Sequence, residues 1–264
     1  MRDIFTELAA PELSDPDPTR RAQIQMKQPL PKRFYKDVTI RAAEGGHEIL
    51  LDGRPVKTPK KQALLLPTEA AARLVAEEWE RQVEVIDPLS MPVTRLSNTA
   101  IDGIAQELDA VHQDIVKYSG TDLLCYRADS PEGLVALQAE QWDPVLYWLA
   151  ESKNARFILA EGIIHRDQPE QAIASFDRAL AAHRDAFRLA SLHVVTTLTG
   201  SAMLALAFAE GRLTDAEVWQ AAHVDEDWQI RQWGEDAEAT ARRAKRWTEM
   251  QAAAHLFAAV AKSD

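Results

Sequence analysis

Seven histidines, one cysteine and 41 carboxylates are the side chains with which this 264-residue chain has the means to do chemistry. Their spacing suits few reactions. The histidines, at 47, 112, 165, 183, 193, 223 and 255, are scattered, and no H-E-x-x-H pair puts two metal ligands on one helical turn. His223 with Asp225, and His165 with Asp167, offer two ligands each, fewer than a metal site needs. A metal-dependent enzyme with a site assembled from such scattered His, Asp and Glu is the alternative to weigh against a binding protein. Cys125 sits in an apolar segment between Leu124 and Tyr126, with Arg127 as the nearby cation, and reads as a buried inert thiol. Neither G-x-x-x-x-G-K-[ST] nor G-x-G-x-x-G occurs, so no loop of backbone amides is laid out for a phosphate, and no nucleotide or other cofactor is expected. G-x-S-x-G is missing too. Gly200-Ser201 falls in an apolar run read as helix, where close helix packing is the expected role.

Charge and aromatic residues carry more information. Residues 210–240 hold nine acids against Arg212 and Arg231, or seven of the eleven net negative charges of the chain. Within that segment Trp219, His223, Glu226, Ile230 and Trp233 follow one another at steps of 4, 3, 4 and 3, along one helical stripe. Either the stripe packs into the bundle with Glu226 satisfied by a basic partner, or it is an exposed seam. Trp142, Trp148 and Trp247 suit ordinary helix packing. A net charge of −11 disfavours nucleic acid and anionic lipid as partners, since both draw on clustered Lys and Arg. The most apolar run, 198–209, is too short to span a bilayer, so no integral membrane segment is expected.

The elements that must position these residues fall into two parts. Prolines 11, 16, 18, 29 and 31 among polar residues make an extended leader over 1–32, without a signal or import pattern. An α+β domain over 33–92 follows, with antiparallel strands plus a helix. Tyr35, Val38 and Ile40 alternate as in a strand, Gly45-Gly46 turns into Glu48–Leu51, and Asp52-Gly53 is a tight-hairpin signal leading to Arg54–Thr58. Another strand is expected at Ala63–Leu66. Thr68 caps a helix whose apolar face is Ala70, Leu74, Val75, Trp79 and Val83. Pro88 and Pro92 end this part. A mainly α-helical bundle with orthogonal packing is expected over 93–264, with helices near 94–118, 131–151, 169–188, 190–209, 214–232 and 236–260. The apolar runs 123–126 and 157–164 read as strands, either within the helical part or extending the first sheet.

Several segments, in order and at matching spacings, resemble a known family. They are Arg33-Phe34-Tyr35-Lys36, the run from Leu51-Asp52-Gly53-Arg54 through Pro55 to Thr58-Pro59, Glu78-Trp79 with Gln82, Ile86-Asp87-Pro88, Met91-Pro92, and Tyr118 with 121–127 (T-D-L-L-C-Y-R). Asp225-Glu226-Asp227-Trp228-Gln229 and Trp233-Gly234 complete the series, which covers about residues 33–240. The family is the assembly chaperone of the F-type ATP synthase that binds its alpha subunit. The resemblance implies a small amino-terminal α+β domain joined to a helical one, no nucleotide hydrolysis, and release when the beta subunit takes over. It nominates Glu226, Trp228, Gln229, Trp233 and Gly234 for partner binding, with Glu235 as the next acid. Asp52, Gly53, Pro55 and Trp79 are assigned structural roles, and Arg54 and Lys57 are expected to pair acids within the fold. The start of the chain is unlike the import leader of eukaryotic members, which act in the mitochondrial matrix, so a bacterial, cytoplasmic member is expected.

Overall fold

A computed structural model describes residues 29–161 and 166–261. The expected leader lies outside these residues up to position 28, as does His165. The described chain forms two compact units, one running to Gln106 and rejoined from Ala258 onward, the other Glu107–Phe257.

In the first unit β1 (Val38–Ala43) pairs antiparallel with β2 (Gly46–Leu51), register Val38 to Leu51. β3 (Arg54–Pro55) and β4 (Leu65–Leu66) also pair with β2, so Pro55 sits opposite Leu50. Asp52 and Gly53 have φ of 47° and 77°, the two positive angles that a tight primed hairpin turn requires. The Asp52 carboxylate accepts from the backbone N–H of Lys36 (3.0 Å) and Asp37 (2.9 Å), which holds it below its ordinary range and ties the turn to the approach of β1. Arg54 and Lys57 form no ion pair within 4 Å among the described residues, although the Arg54 charge helps to hold the Asp52 carboxylate down, and Thr58 donates to Asp102 at 2.6 Å.

Helix α1 (Glu69–Glu80) starts where Thr68 accepts the N–H of Ala71, as expected of a hydroxyl cap. Its buried face is Ala71, Ala72, Val75, Glu78 and Trp79. Val83, expected on that face, is 81% exposed because the helix has ended before it, and Ala70 is exposed as well. Tyr35 donates to the Trp79 carbonyl at 2.6 Å, and the two rings meet edge-on, which anchors the helix on the sheet. Glu78 is buried and receives the backbone N–H groups of Val93 (2.8 Å) and Thr94 (2.7 Å). It thereby caps α2 (Pro92–Asp102), whose own preceding residue, Met91, offers no side-chain cap. Gln82 accepts from Asp87, and the Arg33 guanidinium donates to the carbonyls of Tyr35, Lys36, Glu80 and Gln82. The motif residues of this unit are therefore bound to one another.

The second unit is helical: α3 (Leu108–Ser119), α4 (Glu132–Ser152), α5 (Glu170–Leu180), α6 (Ala186–Thr199), α7 (Ala202–Ala209), α8 (Asp215–Ala222), α9 (Val224–Trp233) and most of α10 (Ala237–Ala259). At its centre Ala202 to Ala207 are all inaccessible to solvent, so α7 is apolar all round and packs on α3, α4, α6 and α8. Four runs expected as single helices are broken. In 169–188, α5 ends at Leu180 and Asp185 starts α6 by accepting the N–H groups of Phe187 and Arg188. The run 94–118 divides after Asp102, and 190–209 divides at Gly200 (φ 69°), where Ser201 accepts from Leu204 and starts α7. Gly200-Ser201 is thus a stop and a start, not a site of helix contact. The run 214–232 divides at His223. The two short apolar runs join each other: after a turn at Leu123–Cys125, β5 (Tyr126–Arg127) pairs parallel with β6 (Ala160–Glu161), separate from the first sheet. No helix among the described residues is long and apolar enough to cross a membrane.

Candidate partner-binding site

Helix α9 buries only Val224, and every residue from Arg231 to Thr240 is exposed. A helix with so little buried face depends on specific ties. The chain reverses at Gly234 (φ 87°), and Asp236 accepts the N–H of Ala239 to begin α10. Asp227 pairs with Arg243 across the two helices at 2.5 Å. Gln138 of α4 donates to Asp225 at 2.7 Å, and Arg246 donates to the Leu198 carbonyl. Trp219 packs at a tilt against Trp247, with centroids 5.3 Å apart. These contacts hold a two-helix hairpin whose outer part faces solvent.

Between its arms lies an open groove of about 790 Å³, lined by Glu226, Gln229, Ile230, Trp233, Gly234 and Glu235 on one side and by Ala239 and the α10 arginines on the other. Of the six residues nominated from the sequence, five are brought together here. The sixth, Trp228, is not: its ring turns to α4 and lies against Gly133. It is half-buried and anchors α9. The nominated helical stripe splits in the same way. Trp219 and His223 turn inward, with His223 Nδ1 donating to the Trp219 carbonyl at 2.7 Å, whereas Glu226, Ile230 and Trp233 face the groove.

The charges in the groove are unequal. Burial pushes the His223 imidazole below its ordinary value, so at neutral pH it carries no charge. It is the one group within ion-pair distance of Glu226 among the described residues, at 3.9 Å. Glu235 has no partner among them. Trp233 is 84% exposed. His223 and Asp225, the pair with metal-ligand spacing, are already engaged by Trp219 and Gln138. No group of three or more His, Cys, Asp or Glu able to hold a metal ion occurs among the described residues. Cys125 is buried, its thiol pushed up to about 12 mainly by desolvation, so it is no nucleophile.

The family model described as ATP12 chaperone protein matches residues 32–150. The crystal structure of the Atu1473 protein of Agrobacterium tumefaciens is 56% identical, with 94% of this chain and 92% of that one aligned at a TM-score of 0.85. The chain belongs to the ATP12 chaperone family. Atp12 of Paracoccus denitrificans, also solved by crystallography, is 42% identical over 87% of this chain and 98% of its own, with a TM-score of 0.82. Mitochondrial atp12 of Schizosaccharomyces pombe is 25% identical over 82% of this chain and 79% of its own. The α+β unit followed by helices expected from the ATP synthase chaperone motifs is therefore the ATP12 fold.

Glu226 and Glu235 are legible from the motif alone, whereas the second wall of the groove is not. Arg242, Arg243 and Arg246 escaped notice, although the cluster R-R-A-K-R at 242–246 in an acidic chain was the available signal. Asp122 was also missed as a residue of interest. Its carboxylate is wholly buried, accepts from Ser201 Oγ (2.7 Å), Met203 N (2.9 Å) and Leu124 N (3.1 Å), and is pushed up to about 6 by desolvation against those bonds. It fixes the start of α7, the helix on which α4 and α8 pack.

Proposed function

We propose that this chain is an assembly chaperone of the F-type ATP synthase that holds the unassembled alpha subunit until the beta subunit replaces it, and that the α9–α10 groove makes the contact. It acts in the bacterial cytoplasm, by binding and not by catalysis, without metal or nucleotide. The observation that carries the reading is the pairing of exposed Trp233 and half-buried Ile230 with two carboxylates that have no cation within ion-pair distance among the described residues. A free subunit of a ring presents apolar surface that aggregates, and an apolar seam with matched charges covers such a surface reversibly. Aromatic residues in such seams supply most of the contact energy. The family motifs of the first unit support the same division of labour, because Arg33 donates to the Gln82 carbonyl, Gln82 to the Glu78 carbonyl and Tyr35 to the Trp79 carbonyl, so that these residues are engaged within the fold.

The test is suppression of alpha-subunit aggregation, followed by light scattering. The double variant Glu226→Lys with Glu235→Lys is expected to remain folded and to lose suppression; full suppression by that folded variant removes the groove from the reading. Co-purification with isolated alpha and beta subunits checks the partner: alpha alone is retained, and added beta displaces it.

A further inference from the structure

The ATP12 groove also specifies what kind of segment it takes, an inference that rests on its being the client-binding site. Its three arginines are already engaged: Arg242 with Glu238 and Arg243 with Asp227, each at 2.5 Å, and Arg246 with the carbonyl of Leu198. Glu226 and Glu235 face a neutral imidazole and solvent respectively. A visitor therefore meets free negative charge at both ends of the exposed stripe and an apolar middle of Ile230 and Trp233. Residues 226 and 233 are separated by two helical turns, roughly 10 Å along the axis, and Glu235 follows just past the end of the helix, after the turn at Gly234. Both walls are helices whose backbone groups are bonded internally, so an extended peptide finds no edge to pair with. Two adjacent helices leave a furrow that a third fills at an interaxial distance of about 8–10 Å, and the small Ala239 on the α10 side leaves room for it.

We propose that the groove receives one amphipathic helix of the client, with an apolar face on Ile230 and Trp233 and two basic residues about two turns apart on Glu226 and Glu235. Three synthetic 18-residue peptides probe this with the full chain: a leucine-faced helix with two lysines seven positions apart, the same peptide with both lysines changed to glutamate, and the lysine peptide interrupted by a central proline. Binding is read by calorimetry and by the change in tryptophan emission, with Trp233→Phe identifying the reporter.

The lysine peptide is expected to bind, with affinity falling about tenfold for Glu226→Lys and again for Glu235→Lys, and the other two peptides are expected to bind at least tenfold more weakly. Equal binding of the glutamate peptide overturns the charge assignment, and equal binding of the proline peptide overturns the helix. If the charge variants lose alpha-subunit protection but keep the lysine peptide, the helix proposal fails and the groove stands. If they lose the peptide but keep protection, the groove is not where the client binds.

Discussion

The ring of Trp228 occupies the place where a side chain at position 133 would project: a Cβ on Gly133 would lie 2.6 Å from its Cη2 atom. One helix thus gives up a side chain so that an indole from another can seat, and through that indole α9 is fixed to α4.

Gly133→Ala should therefore displace the ring. Helix propensity alone favours alanine by about 1 kcal/mol, and the forced contact opposes it by about 1–3 kcal/mol. The expected result is lower stability in urea titration, together with weakened client binding as α9 shifts. A stability gain with unchanged binding would show that the indole has room to move.

Trp233→Ala should separate binding from folding. With 84% of the residue exposed, truncation is expected to change stability by less than about 0.5 kcal/mol, whereas loss of an aromatic anchor costs about 2 kcal/mol of binding. Thermal denaturation and titration against purified alpha subunit measure the two.

Asp122 should make stability depend on pH in the direction opposite to an ion-paired acid. Its folded value, about 6, lies above the ordinary 3.8, so the folded state holds the proton more tightly than the unfolded one. Its contribution is greatest at or below pH 4 and is lost as pH rises through 6, a change on the order of 3 kcal/mol. Asp122→Asn removes that titration. The stability of the parent relative to the variant should rise between pH 7 and pH 4, and parallel curves would exclude Asp122 as the source.

Glu78→Gln should loosen the start of α2. The carboxylate accepts the N–H groups of Val93 and Thr94 and the Thr94 hydroxyl. An amide in its place turns a donor toward donors, at a cost of about 1–3 kcal/mol. Hydrogen exchange should then quicken at Val93 and Thr94 before it does in β2.

Features decided within a few residues were legible in the sequence. The Thr68 cap and the Asp52-Gly53 turn depend on local backbone angles and one hydroxyl. The break at His223 was not legible, because the 4, 3, 4, 3 spacing continues through it in register while the chain bends there. Ser201 was hidden in an apolar run: its partner, Asp122, is 79 residues away. Trp228 was grouped with the groove because it stands among the motif residues, and its true direction depends on the absence of a side chain at position 133. What spacing could not supply in each case was a partner distant in sequence.

The bond between Ser201 and Asp122 also has a temporal side. Helix α7 has no polar face to shelter it; Ser201 caps the Leu204 amide locally, but the Met203 amide is satisfied only when that carboxylate arrives. Bringing the two segments together closes a long loop, whose entropy must be overcome before the contact is made. Synthesis proceeds from the amino terminus, so Asp122 leaves the ribosome well before Ser201. A helix that is apolar all round therefore emerges with the acceptor for its start already made.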